Sequence, residues 1–150
     1  AENSKTRQAL LEAAEQVMRE EGYAAVSSRR IAERAGLKPQ LVHYYFRTMD
    51  ELFLALLHRL TDAYLIQFAR TLASDKPLRG LWDISSSLET AALTTEFLAL
   101  ANHRKEIGAE VEHRIKVLVG VSSTVHVVET DKVERTLVGK ARRVIDRRPK

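Results

Sequence analysis

The chain of 150 residues is 45% hydrophobic and 29% charged, with a net charge of +4, 6 Gly, 3 Pro and no Cys. That length supports about one domain with a real core. Low Gly and Pro, with abundant Ala, Leu, Glu and Arg, favour an all-α fold, and the absence of Cys excludes disulfides, a thiol nucleophile and Cys-based metal sites. No uninterrupted apolar run reaches the roughly 18 residues that span a bilayer, and the first residues lack an apolar signal core, so a soluble cytoplasmic protein is expected.

Charge is unevenly placed. Residues 140–150 hold Lys140, Arg142, Arg143, Arg147, Arg148 and Lys150 against Asp146, a net +5. Residues 27–47 hold Arg29, Arg30, Arg34, Lys38 and Arg47 against Glu33, a net +4. The first of these reads as a solvated helix end. The second coincides with an unusual local sequence and points toward a polyanion.

In chain order, residues 4–21 form an amphipathic helix, with Leu10, Ala13, Ala14, Val17 and Met18 at three- and four-residue steps. Gly22 stops it, and residues 23–26 make a short apolar connection. Ser27 suits an N-cap for a helix of about two turns, residues 28–35, with Ile31, Ala32 and Ala35 facing inward. Gly36 permits a left-handed turn. Pro39 opens a short helix to Tyr45, where Val42 and Phe46 share the inner face. Thr48 and Glu51 have capping-box spacing, and a long helix follows to about Ser74. Its spine of Leu52, Leu56, Leu60, Tyr64, Phe68 and Leu72, flanked by Phe53, Leu57 and Leu65, predicts a central position. Residues 75–77 break the chain. Residues 78–88 and 89–106 read as two further helices, or as one continuous through the polar run Ser85-Ser86-Ser87, Gly108 as an interruption, and residues 110–114 as a helix start that does not get far. Residues 116–129 alternate and are rich in Val, a strand-like pattern. Helix is preferred there because a lone pair of strands would have no partner. Residues 131–147 return to a clear helix, capped by Asp131 and Glu134.

Residues 28–45 have the dimensions of a helix-turn-helix: two short helices with Gly in the turn. In that motif the second helix enters the DNA major groove while the first crosses the backbone. With Val42 and Phe46 facing inward, the other side presents Lys38, Pro39, Gln40, Leu41, His43 and Tyr44. Gln40 can pair with an adenine edge, Lys38 with guanine or phosphate, and Leu41 with a thymine methyl. Ser27, Ser28 and Arg29 sit at a helix start suited to phosphate, and Arg47 follows at the far end. Tyr45 is divided between packing and phosphate contact.

The stretch from Arg7 to Leu57, RQALLEAAEQVMREEGYAAVSSRRIAERAGLKPQLVHYYFRTMDELFLALL, resembles the DNA-binding domain of the TetR family of bacterial transcriptional regulators. The match lies in the first helix, Gly-Tyr, the hydroxyl cap, Ile-Ala-x-x-Ala-Gly, and the short aromatic-rich helix ending in Phe. The resemblance implies an all-helical homodimer and a repressor that binds a palindromic operator. Residues 1–47 would be the DNA-binding domain, and residues 48–150 a helical effector-binding and dimerisation domain. It also implies a bacterial, nucleoid-associated location. Three positions depart from the family pattern: Lys38 replaces a small hydroxyl residue, His43 replaces a Tyr phosphate contact, and Met49 replaces a Lys, with Arg47 available instead.

The same resemblance implies release by a small-molecule effector held by the long helix and those after it. Tyr64, Phe68, Trp82, Phe97 and Leu100, with Asn102 or His103 as polar groups, could line that pocket. The last two helices of each subunit would form the dimer interface, through Leu118, Val121, Val125, Val128, Val133, Leu137, Ala141 and Val144. The C-terminal portion is short for the family and changes character abruptly near residues 112–117 and 128–132. An intact mass above 17.0 kDa would reveal omitted stretches there.

An enzyme is disfavoured. The five His residues have no metal-binding spacing, and there is no phosphate loop or Gly-x-Ser-x-Gly. No cofactor or metal is expected. Two rivals remain: a TetR-like protein controlled by a protein partner, and a DNA-coating protein with little sequence preference.

Overall fold

The computed structural model describes residues 2–119. Among these, seven α-helices and one 3-10 turn account for the regular structure: α1 (Glu2–Glu21), the 3-10 turn (Tyr23–Ala25), α2 (Ser28–Ala35), α3 (Pro39–Tyr45), α4 (Met49–Leu72), α5 (Pro77–Ser85), α6 (Leu88–His103) and α7 (Lys105–Val119). The all-α expectation holds for them.

The helix boundaries have local causes. Ser27 is the N-cap of α2 and its hydroxyl accepts from the Arg30 N–H at 3.2 Å. Thr48 caps α4 by accepting from the Glu51 N–H at 3.1 Å. Glu51 reaches back to the Arg47 N–H at 2.9 Å, one residue earlier than the usual reciprocal bond. Ser87 caps α6 through the Thr90 N–H.

One core runs through the described residues. Leu10, Leu11, Ala13, Ala14, Val17 and Met18 of α1 pack with Ile31 and Ala32 of α2, Val42 and Phe46 at α3, and Leu52, Phe53 and Leu56 of α4. Leu93, Phe97 and Leu100 of α6 and Ile107 of α7 join the same cluster. The core therefore crosses the boundary expected at residues 47 and 48. The head and the start of the body are packed as a unit.

Two expectations need correction. Gly108 does not interrupt a helix: α7 runs through it, and the helix start at residue 110 is already inside α7. A Cβ on Gly108 would lie 3.0 Å from the Ala101 carbonyl oxygen. Gly is needed because α6 and α7 approach closely there, not because the chain breaks. The second concerns α4. Only Leu52, Phe53 and Leu56 of its spine are buried, whereas Leu72 is 51% exposed and Tyr64, Leu65 and Ile66 are also exposed. By length and composition α4 is apolar enough to cross a bilayer. Its first turns, however, are packed into the head, and Asp50, Arg59 and Asp62 on it are ion-paired.

Leu118 lies in α7. Val121, Val125, Val128, Val133, Leu137, Ala141 and Val144, the strand-or-helix alternation and the final capped helix lie outside the described residues.

Candidate nucleic-acid interface

The turn between α2 and α3 is set by Gly36, at φ 66° and ψ 31°. The Leu37 N–H donates to the Ala32 carbonyl at 2.9 Å, and the Gly36 N–H donates to Glu33 at 3.2 Å. These bonds satisfy the last carbonyls of α2 and fix the departure of the chain. Pro39 then occupies the first turn of α3, where a missing N–H costs nothing.

Val42 and Phe46, each 1% exposed, fasten α3 to the core. Arg7 of α1 lies over the Phe46 ring at 4.9 Å. The opposite side of α3 is solvent-facing: Lys38, Pro39, Gln40, His43 and Tyr44 are exposed, and Leu41 is half-buried. Tyr44 is 71% exposed and meets the half-buried Tyr45 edge to face, with ring centroids 5.0 Å apart. Ser27 and Arg29 are exposed at the α2 start, Ser28 is half-buried there, and Arg47 is exposed beyond α3. All ten residues expected at the DNA surface therefore lie on or beside the helix-turn-helix, the two half-buried ones included.

The electrostatics are narrower than the sequence count implies. Arg30 donates to Glu21 through Nε and Nη2 (2.8 Å for the latter) and to Glu33 through Nη1 at 3.0 Å. Arg34 donates to Glu20 at 2.6 Å and to Glu21 at 3.4 Å. Hydrogen bonds from Arg34 and Arg30 hold the Glu20 and Glu21 carboxyls below the ordinary carboxylate range. Including these two acids cuts the net charge of the patch from +4 to +2. No ion pair among the described residues engages Arg29, Lys38 or Arg47, so their charge is not offset by an acidic partner as that of Arg30 and Arg34 is.

The head is tied to the body at several points. The Tyr23 N–H donates to Glu96 Oε2 of α6 at 2.7 Å, and the Tyr23 ring stacks on His103 at 6.1 Å. Arg104 pairs with Asp50 and lies over the Phe53 ring. Farther along, His58 Nε2 and Glu110 Oε1 are 2.8 Å apart, and Arg114 bonds Glu110 at 2.9 Å and Asp62 at 3.4 Å. Burial would raise the Glu110 carboxyl, but hydrogen bonds from Arg114 and His58 outweigh it and hold the group low. Apart from Arg114 and Glu110, which are four apart on α7, sequence reasoning missed these ties because their partners are far apart in the chain.

The residues expected to line an effector pocket do not come together. Phe97 and Leu100 are buried in the core shared with α1, and Asn102 and His103 are exposed, His103 against Tyr23. Tyr64 and Phe68 stack on each other on α4 at 6.1 Å, and Trp82 of α5 is 69% exposed. An open cleft of about 440 Å³ lies instead between α1 and α4, lined by Arg7, Gln8, Leu11, Glu51, Leu54, Ala55, His58 and Arg59. Among the described residues, no group of three or more His, Asp or Glu is placed to hold a metal.

Comparison with known proteins divides the chain. Residues 10–56 match the family described as bacterial regulatory proteins, tetR family. Residues 84–148 match the C-terminal domain of AMP-binding enzymes, a stretch that begins inside α5 and includes α6 and α7. A phenylacetate-coenzyme A ligase from Aromatoleum evansii is 38% identical over 74 residues, which is 45% of this chain, and the chain spans only 17% of that ligase.

Among solved structures, a transcriptional regulator from Streptomyces coelicolor is 29% identical with a TM-score of 0.62, covering 75% of this chain and 72% of its own. The multidrug binding protein EbrR, complexed with malachite green, is 25% identical at a TM-score of 0.55, covering 78% and 75%. A Rhodococcus transcriptional regulator is also 25% identical at 0.55, covering 78% and 71%. The head geometry, the family match over it and these regulators agree: residues 10–56 match the tetR family of bacterial regulatory proteins, and the described helices are similar in fold to these transcriptional regulators.

Proposed function

We propose that the chain is a cytoplasmic repressor whose α3 reads base edges in the major groove of a palindromic operator, bound as a homodimer. The observation that carries this reading is α3 itself: Val42 and Phe46 are buried, while Lys38, Gln40, His43 and Tyr44 on its other side are exposed. A helix held that way presents hydrogen-bonding and apolar groups at the depth of a groove. Two-fold pairing would set two copies of α3 about 34–36 Å apart, one DNA turn. Residues 1–47 would be the reading domain, with effector binding and pairing in residues 48–150.

Selection from a library of random duplexes at physiological salt tests this. Enrichment of one palindrome is expected. Binding without enrichment would replace the reading with a nonspecific clamp.

Release by a small molecule is part of the proposal. Malachite green on the EbrR relative supports an aromatic effector. The 38% identity to a phenylacetate-coenzyme A ligase favours a narrower class, an aromatic acid or its coenzyme A thioester. Titrating phenylacetate and phenylacetyl-coenzyme A against the protein–duplex complex distinguishes them, and no release by either would discard this class. Control by a protein partner is the second reading, favoured by Phe97 and Leu100 being packed in the core rather than around a closed cavity. The ligase match covers too little of that enzyme to assign its reaction here.

A further inference from the structure

α3 is a helix of only 7 residues, well below the length that holds itself together in water. Its place on the head therefore depends on what grips it. Val42 and Phe46 grip it from beneath, both buried. Phe46 is also the C-cap, its N–H donating to the Val42 carbonyl at 2.9 Å. The outward groups Gln40, His43 and Tyr44 all lie within about two turns of it. Fixing the Phe46 ring thus fixes the tilt of the outward face.

Two side chains from other helices meet at this end of α3. Glu51 of α4 accepts from the Arg47 N–H at 2.9 Å. Arg7 of α1 lies over the Phe46 ring at 4.9 Å. The ion pairs that tie α1 to α2 and α4 run through Glu12, Glu15, Glu20 and Glu21, and Arg7 takes part in none of them. Arg7 is exposed and borders the open cleft between α1 and α4, so its side chain has room to swing off the ring. Attraction between the guanidinium and the ring face holds it there, not confinement. The same place sets a cation at the C-terminal end of α3, where the last carbonyls favour positive charge. Arginine suits this task. Its flat, weakly hydrated guanidinium covers a ring while its edge stays wet, whereas a lysine ammonium is a strongly hydrated point charge.

We propose that Arg7 is a positioning residue for operator choice: it seats α3 through the Phe46 ring and itself meets no DNA. The inference rests on the reading of α3 as the helix that enters the groove. Arg7 then acts on which duplex is preferred, and leaves the charge-driven part of binding to the exposed cations Arg29, Lys38 and Arg47.

Three variants of the full chain separate cover from charge. Arg7→Ala removes both, Arg7→Lys keeps the charge without the flat cover, and Arg7→Met keeps a cover on the ring without the charge. Arg7 is exposed, so helical circular dichroism should be the same in all three. In Arg7→Ala and Arg7→Lys the ratio of affinities for the selected operator and for random duplex should fall about tenfold, with the salt slope unchanged. Arg7→Met should keep most of that ratio. Undiminished discrimination in Arg7→Ala would overturn the proposal. So would a salt slope shallower by about one unit per subunit in Arg7→Ala and Arg7→Met, with Arg7→Lys like the parent, because that pattern assigns Arg7 to phosphate. Hydrogen exchange at the Phe46 amide, measured without DNA, is the independent check. It should be about fivefold faster in Arg7→Ala and Arg7→Lys and close to the parent in Arg7→Met. Equal exchange in all four proteins would reject the seating role whether or not the duplex selection enriches an operator, so failure of this inference is distinct from failure of the DNA reading.

Discussion

The Tyr23 backbone N–H donates to the Glu96 carboxylate at 2.7 Å, joining the loop after α1 to the middle of α6 across 73 residues of sequence. Gly22, at φ 84°, lets the chain turn there, and its position faces the same carboxylate. Glu96→Ala leaves a partly buried N–H without its acceptor, at a cost of about 1–3 kcal/mol. Glu96→Gln keeps an acceptor oxygen and should recover most of the loss. Thermal unfolding of the three proteins checks this, and equal midpoints for Ala and Gln would show that the bond contributes nothing.

The proposed reading of the α3 surface divides it into two kinds of contact. Gln40→Ala and Tyr44→Ala should each cost about 1–3 kcal/mol on the selected operator and much less on random duplex. Lys38→Ala should weaken both alike and flatten the salt dependence by about one unit per subunit. Arg30→Ala should leave the salt slope unchanged, because Arg30 is already engaged by Glu21 and Glu33. A lowered slope for Arg30→Ala, measured by fluorescence anisotropy at several salt concentrations, would place that guanidinium on phosphate instead.

Acid should loosen the fold in one direction. The folded carboxyls of Glu20, Glu21 and Glu110 sit below their ordinary value. A depressed carboxyl contributes stability above the unfolded value and loses it as pH falls through the folded one. Melting temperature should therefore respond little to these groups from pH 7 to about 5, and should fall below about pH 4.5. Glu110→Gln should make that fall shallower, since one of the linked protons is gone. An identical acid slope in the variant would remove the α4–α7 seam from the account.

Two glycines are required for different reasons. Gly36→Ala meets nothing within 4 Å but must adopt φ 66°, so its cost is backbone strain of about 1–2 kcal/mol, with Asn tolerated better. Gly108→Ala gains about 1 kcal/mol of helix propensity, yet its methyl meets the Ala101 carbonyl at 3.0 Å, and overpacking costs about 1–3 kcal/mol. Urea unfolding should show both variants destabilised. A stabilised Gly108→Ala would mean that α6 and α7 separate easily.

The head was legible because its information is local. Apolar steps in α1, hydroxyl caps at Ser27 and Thr48, and Gly36 before Pro39 each act within a turn or two, and all define the elements found. Residues paired over long distances were not legible. Arg30 and Arg34 read as free charge because Glu20 and Glu21 lie one element upstream and meet them only after folding. Phe97 and Leu100 read as pocket lining because apolarity alone does not say which neighbour is covered. The same limit applied to α4, whose periodicity is continuous although only its first turns are buried. Gly108 read as a break for a related reason: a glycine that ends a helix and one that lets two helices touch look alike in sequence.

Val42 and Phe46 never face solvent, yet they set the height and tilt at which α3 is offered. Substitutions beneath that helix, Leu for Val42 or Leu for Phe46, would rotate or sink it while leaving every exposed group intact. Preference among operators can therefore drift through changes that no inventory of DNA-facing residues would register. Two such proteins with identical exposed faces on α3 need not share a target.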